Sequence, residues 1–166
     1  MKYLIFVIFL FLKITTSAHA SNVVYIDMSY ILSNSIKGKS ILEELESKNK
    51  SNIKELESKE KILKDLEKNI SNQRNILSEQ EFEKKVKDLK AKVIIFRKDK
   101  DKLVQEFNDL KNNAIQNFMK NVEPLVSDYM KKNSINIVLA KKDVIIGIKD
   151  LDITSEILEI VDKNIK

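Results

Sequence analysis

From Lys37 to Lys132 the chain carries one sustained alternation of apolar and polar positions, and the other segments are short by comparison. In its second half Phe82, Val86, Leu89, Val93, Phe96, Lys100, Leu103, Phe107, Leu110 and Ala114 follow one another in steps of four and three. In its first half Leu42, Asn49, Leu56, Leu63, Ile70 and Leu77 stand seven apart, with Leu45, Asn52, Lys59, Leu66 and Gln73 between them. Both are heptad seams, and a narrow apolar stripe on a helix needs a partner stripe to leave water. The pattern predicts two long helices folded back on each other as an antiparallel hairpin.

The ends of these helices are also written in the sequence. The first is expected to begin between Ile36 and Lys39 and to run to about Ile70. Ser78, Glu79, Gln80 and Glu81 form a capping box, in which a serine oxygen accepts from an amide three residues on and the glutamate reaches back. The second helix therefore starts at Ser78, with the hairpin tip between Ile70 and Ser78. After Ala114 the spacing changes to Phe118, Val122, Leu125 and Tyr129, a stutter placed where the second helix has outrun the first. Each arm is then ~50 Å long at about 1.5 Å per residue. Pro124 is expected to kink the helix as it leaves the hairpin.

Short apolar runs flank the hairpin. Val23 to Ile26 reads as a buried strand, and Met28, Ile31 and Leu32 as a turn of helix. Ile135 to Ala140 and Val144 to Ile148, separated by Lys141, Lys142 and Asp143, read as a β-hairpin. A closing helix, capped by Asp152 or Thr154, carries Ile153, Ile157, Leu158, Ile160, Val161 and Ile165. The expected fold class is α+β, mostly α, with residues 22–36 and 118–166 forming a small β-rich body and residues 37–117 inserted in it as a coiled-coil arm. Such a body has little core of its own and open strand edges, so self-association is expected.

The N-terminus changes the picture of location. Lys2, the apolar run Tyr3 to Leu12 and the small residues Ala18 and Ala20 have the layout of a cleaved secretory signal over residues 1–20. Its apolar run is too short for a membrane span, which needs about 20 residues. Loss of Lys2 and Lys13 leaves 28 basic residues against 25 acidic ones, and loss of His19 removes the only histidine. The chain has no cysteine and no tryptophan. Thiol chemistry, disulfide staples and the commonest transition-metal ligands are thereby excluded. Two glycines and one proline exclude a Gly-rich phosphate loop. Carboxylate groups such as Glu43, Glu44 and Glu46 read as solvated helix surface, so no metal, no cofactor and no catalytic residues are expected.

Two features of the hairpin read as candidate binding chemistry. Lys84, Lys85, Lys87, Lys90, Lys92, Arg97 and Lys98 crowd the second helix with few acidic neighbours. Their field would attract acidic clients or anionic lipid headgroups, while export and the lack of interleaved aromatics argue against nucleic acid. Off the seam stand Ile94 and Ile95, with Ile53, Ile62 and Val104 flanking it. Apolar groups exposed on a charged arm suggest a surface that holds segments of other chains weakly and at many points.

The order of these segments resembles the OmpH/Skp family of periplasmic chaperones: the signal, the strand into Val24-Tyr25-Ile26-Asp27-Met28, the charged helical hairpin, the Ile135 to Ala140 strand, and the closing Asp152-Ile153-Thr154 with Ile157-Leu158. The resemblance implies a homotrimer with three helical arms enclosing a cavity for unfolded outer-membrane proteins, no enzymatic activity, and lipopolysaccharide or anionic lipid as a further candidate partner. The expected function is an ATP-independent periplasmic holdase. The alternative is a periplasmic coiled-coil spacer or adaptor docking another envelope protein through its hairpin.

Overall fold

The structure is a computed structural model and describes residues 22–166. The expected signal over residues 1–20 lies outside them. Strand β1 (Val23–Ile26) is followed by the short helix α1 (Met28–Asn34), then by the two long helices α2 (Ile36–Asn72) and α3 (Glu79–Lys132), strand β2 (Ile137–Ala140) and helix α4 (Thr154–Asn164).

The two long helices form the antiparallel hairpin that the heptads require. Ser78 caps α3 as its sequence predicts: the Glu81 amide donates to Ser78 Oγ, and Glu81 Oε2 accepts from the Ser78 amide at 3.2 Å. Ser78 Oγ also donates to Glu81 Oε2 at 2.6 Å, and the bonds that this carboxylate accepts, from the Ser78 side chain first and its amide second, hold it below the usual range. The tip is the turn Gln73 to Leu77. Pro124 sits inside α3, on its exposed side, and the helix continues through it to Lys132.

The core lies at the end of the hairpin remote from the tip. Val24 and Ile26 of β1, Ile31 of α1, Phe118 and Val122 of α3, Ile135, Ile153, and Ile157 and Val161 of α4 are buried together. Phe118 and Val122, the residues at which the heptad stutters, are the points where α3 changes partner from α2 to this core. The chain leaves α3 with Ser134 in the left-handed region at φ 54° and the Ile135 amide bonded back to the Met130 carbonyl at 3.0 Å, the usual way of ending a helix on an αL residue.

The sheet differs from expectation. β2 pairs with β1 in parallel, Val23 opposite Ile137 and Ile26 opposite Ala140. Parallel strands need a long crossover, and here the whole hairpin is that crossover. The predicted second strand, Val144 to Ile148, does not form. Lys141–Asp143 is a single 3-10 turn that carries the chain away from β2. The other edge of β1 is taken by a bridge from Tyr25 to Asp152, where the Ile153 amide donates to the Tyr25 carbonyl at 3.0 Å. Val144 to Ile148 is held by the Tyr25 side chain instead: Tyr25 Oη donates to the Ile148 carbonyl at 3.1 Å and its ring lies against Gly147. Ile145 is 100% and Ile146 92% exposed. Ile137 and Leu139 of β2 are exposed as well, which leaves an apolar face on the sheet side.

Two polar clusters tie the hairpin and α4 to this core. Ser35, fully buried, caps α2 by accepting from the Gly38 amide at 3.1 Å, and Asp162 of α4 accepts from the Ile36 amide at 2.8 Å. Gly38 lies under the carbonyl of Leu32, where an added Cβ would come within 1.9 Å of the oxygen. In the second cluster Asp152 accepts from the Thr154 amide at 3.1 Å, from the Thr154 hydroxyl and from Lys141 Nζ at 3.0 Å, and Thr154 Oγ1 accepts from the Asp27 amide at 2.9 Å. Asp152 thus braces the start of α4 from just ahead of it, whereas the residue in the capping position is Ile153. Burial pushes the Asp152 carboxyl up, but hydrogen bonds from Thr154 and Lys141 outweigh it and hold the group below its ordinary value.

Gly38→Ala should destabilise the chain by about 1–3 kcal/mol, the range for an overpacked site, and lower its urea midpoint. Alanine gains up to about 1 kcal/mol in helix propensity, but the clash is with backbone and cannot be relieved by rotating a side chain. An unchanged midpoint would mean that α1 and α2 move apart freely. For Asp152 the folded-state pKa is depressed, so its contribution is present above the unfolded value of about 3.9 and is lost as pH falls through the folded value. Asp152→Asn should therefore cost on the order of 1–3 kcal/mol near neutral pH, and its stability should converge with that of the parent as urea melts are taken from pH 6 toward pH 3.

Candidate functional site

The face of the molecule that carries the candidate binding residues is the hairpin, so its geometry comes first. Two side-chain pairs fix its register: Lys85 Nζ donates to Gln73 Oε1 at 2.6 Å, and Lys59 Nζ to Asp99 Oδ2 at 3.3 Å. From the first pair to the second, α2 goes back 14 residues and α3 advances 14, so the helices run past each other without slip over two heptads.

Lys59 and Asp99 lie in the seam itself, each half covered. The sequence pattern put Lys100 there; instead Asp99 is drawn in and Lys100 is exposed. A cation on the facing helix explains the substitution, because Lys59 needs a carboxylate at this level and Lys100 would repel it. Hydrogen bonds that Lys59 donates to Glu55, at 2.9 Å within its own helix, and then to Asp99 hold its ammonium above the usual lysine value. Asn52 is a second polar seam residue and is buried. Asn49, expected in the seam, is exposed.

The seam is covered unequally. Phe82, Val86, Leu89, Val93 and Phe96 are only half buried, because one flank of the hairpin opens into a groove of about 1040 Å³. Its floor is Leu56, Leu63 and Ile70 of α2 with Val86, Leu89 and Val93 of α3. At the tip end the Arg74 guanidinium stands 5.4 Å above the Phe82 ring. Ile53 and Ile94 extend the apolar floor onto the rims, and Ile94 is 55% exposed.

The structure divides the candidate residues between two flanks. Ile53, Ile94, Lys90 and Arg97 line the groove. Val104 is exposed and stands a heptad beyond Arg97, on the continuation of that flank toward the core. Ile62 and Ile95, the latter 58% exposed, are not part of the groove, and helical phase puts them on the opposite flank. Lys84, Lys85, Lys87, Lys92 and Lys98 do not line the groove either, so the basic residues surround α3 and do not form one face.

Sequence reasoning missed the acidic rim. Glu57, Glu60 and Glu67 of α2 line the groove opposite Lys90, Arg97 and Lys100 of α3. A salt bridge from Lys64 at 2.8 Å is the main cause that holds the Glu60 carboxyl below its usual range, with a smaller contribution from Lys100 across the groove. The signal was present in the heptads: Ile53, Glu60, Glu67 and Arg74 are spaced by seven, as are Lys90, Arg97 and Val104. Reading each helix for net charge hid it.

This arrangement offers weak apolar contact, ionic rims and no concentration of nucleophiles or metal ligands. Among the described residues no group of carboxylates is placed to hold a metal ion, and no helix is long and apolar enough to cross a membrane.

Comparison with known proteins places the whole arrangement. The family described as outer membrane protein (OmpH-like) matches residues 22–161. The chain belongs to that family. A crystal structure from Caulobacter crescentus CB15, described as a "putative outer membrane chaperone (OmpH-like)", has the same fold: the TM-score is 0.80 over 89% of this chain and 87% of that one, at 16% sequence identity. No curated protein matches the chain. For this OmpH-like chain the Lys59–Asp99 pair is the one ion pair between α2 and α3 among the described residues.

If that pair sets the register, Lys59→Asp and Asp99→Lys should each lower the thermal midpoint of the hairpin, and the double exchange should restore most of the loss. Far-UV circular dichroism melts of the three variants measure this. Additive losses in the double variant would show that the two side chains do not interact.

Proposed function

We propose that this OmpH-like chain is an ATP-independent holdase of the periplasm that binds unfolded outer-membrane proteins and prevents their aggregation. One observation carries the reading: isoleucines stand exposed along both flanks of a charged helical hairpin, over an open apolar groove. Isolated contacts of this kind are individually weak, and many of them over a long arm give binding that is broad in sequence and reversible without fuel. Residues 1–20 direct export in this reading.

We take residues 22–36 and 118–166 as the body and 37–117 as the arm, and the body as the site of homotrimer formation. Support comes from the exposed Ile137 and Leu139 of β2, the exposed Ile145 and Ile146 after it, and the outer edge of β2, which has no partner strand among the described residues. Unpaired edges and apolar faces of this kind are what subunit contacts cover. Three arms projecting from one body would enclose a shared cavity lined by their grooves and flanks. The exposed lysines of α3 leave anionic lipid or lipopolysaccharide as a further partner. The adaptor reading asks for a specific surface at the tip, where Ile76 is the one exposed large apolar residue; the apolar excess along the arms favours the holdase.

The test is dilution of a urea-unfolded outer-membrane β-barrel protein into buffer with the purified mature chain and no nucleotide, followed by light scattering. Scattering should be suppressed at near-stoichiometric amounts of chain, and the same preparation should sediment as a trimer. Exchange of Ile53, Ile62, Ile94 and Ile95 together for serine should raise scattering several-fold at unchanged helicity. Full aggregation in the presence of the parent chain would remove the holdase reading.

A further inference from the structure

The groove on the hairpin is charged in opposite senses on its two rims. Along the α2 rim it is edged by Glu57, Glu60 and Glu67, with Lys64 between them already bound to Glu60, and Arg74 closes this rim at the tip, over the Phe82 ring. On α3 it is edged by Lys90, Arg97 and Lys100. Between the rims the floor is apolar and half covered. From Ile53 to Arg74 it runs 21 residues along the hairpin, about 32 Å at 1.5 Å per residue.

The floor restricts what can lie on it. Both helices use their peptide groups internally, so the groove offers a guest no backbone donors or acceptors. An extended segment seated there would lose water from its own N–H and C=O groups and find no partners, at a cost that a helix avoids by bonding to itself. The apolar stripe is also wider than a two-helix seam requires. Ile53 adds an apolar position beside the a and d rows, as in helices that face a third element, and Ile94 adds one further out on the same flank.

The rims restrict it further. A guest with the same charge on both sides would be repelled by one rim, and like charges brought together at an interface are strongly unfavourable. A guest that is basic along one side and acidic along the other matches both. Turning such a helix end for end in the groove exchanges its two sides, so the match exists in one direction only.

We infer that the groove seats an amphipathic helical segment of about 20 residues, basic on the side that meets α2 and acidic on the side that meets α3, and that the two rims fix the direction in which it lies. The inference rests on the proposal that the hairpin is the holding surface, and names the kind of segment held at this part of it.

The chain has no cysteine, so single cysteines can be placed at Asn75, beside the tip, and at Ser51, beyond the other end of the groove. Both positions are exposed. Each variant of the mature chain is labelled with a quencher and titrated with synthetic 20-residue helical peptides that carry a leucine stripe and an N-terminal fluorophore. A peptide with lysines on one side and glutamates on the other should be quenched from one label only, and the peptide with these sides exchanged from the other label only. Peptides with lysine on both sides, or glutamate on both, should bind about ten-fold more weakly or worse. Ile53→Ser with Ile94→Ser should weaken the bipolar peptide by a similar factor at unchanged helicity. Equal quenching from both ends, tightest binding of the all-lysine or all-glutamate peptide, or no effect of the serine pair would overturn the inference. Scattering assays on the same preparations separate it from the holdase proposal. A chain that suppresses aggregation but ignores the peptides loses the groove and keeps the holdase, and directional peptide binding without suppression has the opposite meaning.

Discussion

The constraint that organises this molecule is the register between its two long helices. β1 and the residues that complete its core are separated by the whole hairpin, so Phe118 and Val122 arrive beside Val24 and Ile26 only if α3 returns at the correct height and phase. A slip of one residue would turn the face of α3 by about 100° and carry Phe118 out of the core. Apolar seams tolerate a slip of a whole heptad, because one leucine then replaces another. Polar pairs do not, and here Lys59–Asp99 and Gln73–Lys85 hold the two helices at one alignment. The capping box at Ser78 sets where α3 begins, and the buried cap at Ser35 over Gly38 sets where α2 begins.

Incomplete burial is the second theme. A hairpin of two helices removes only the inner half of each stripe from water, and the core at its base is a two-stranded sheet with two short helices. Both parts leave apolar surface exposed, on the open flank of the seam and on the sheet side around Ile145 and Ile146. These two surfaces have different physical character. The one on the arm is interrupted by charge at every turn, so it cannot form a dry interface of its own. The one on the body, Ile137 and Leu139 of β2 with Ile145 and Ile146 after it, carries no charge among these four residues and goes with an unpaired edge of β2.

Charge acts locally in this chain, with little effect from net balance. Excess lysine on α3 looks like a uniform basic field when counted along the sequence, yet the structure distributes it round the helix and sets Glu57, Glu60 and Glu67 against part of it. At an ionic strength where fields are screened within about 8–10 Å, a guest in the groove feels the rims and little of the remaining charge. Lys90 and Arg97 therefore count differently from Lys92 and Lys98, although all four belong to one run in the sequence.

The sequence by itself determined the hairpin, its capping box, its tip and the place where α3 leaves its partner, because helical periodicity and end-capping are local properties read within a few turns. It also carried the closing helix and the order of segments that marks an OmpH-like chain. Three things were decided only by tertiary structure. Val144 to Ile148 has the composition of a strand, but the 3-10 turn at Lys141–Asp143 carries the chain away from the free edge of β2, and Tyr25 of β1 holds Gly147 and Ile148 through its side chain instead. Asp99 entered the seam in place of Lys100 because a lysine faced it from the other helix, a contact 40 residues away in sequence. The groove and its opposed rims depend on which flank of α2 meets which flank of α3, a relation between two helices that neither helix's own periodicity contains.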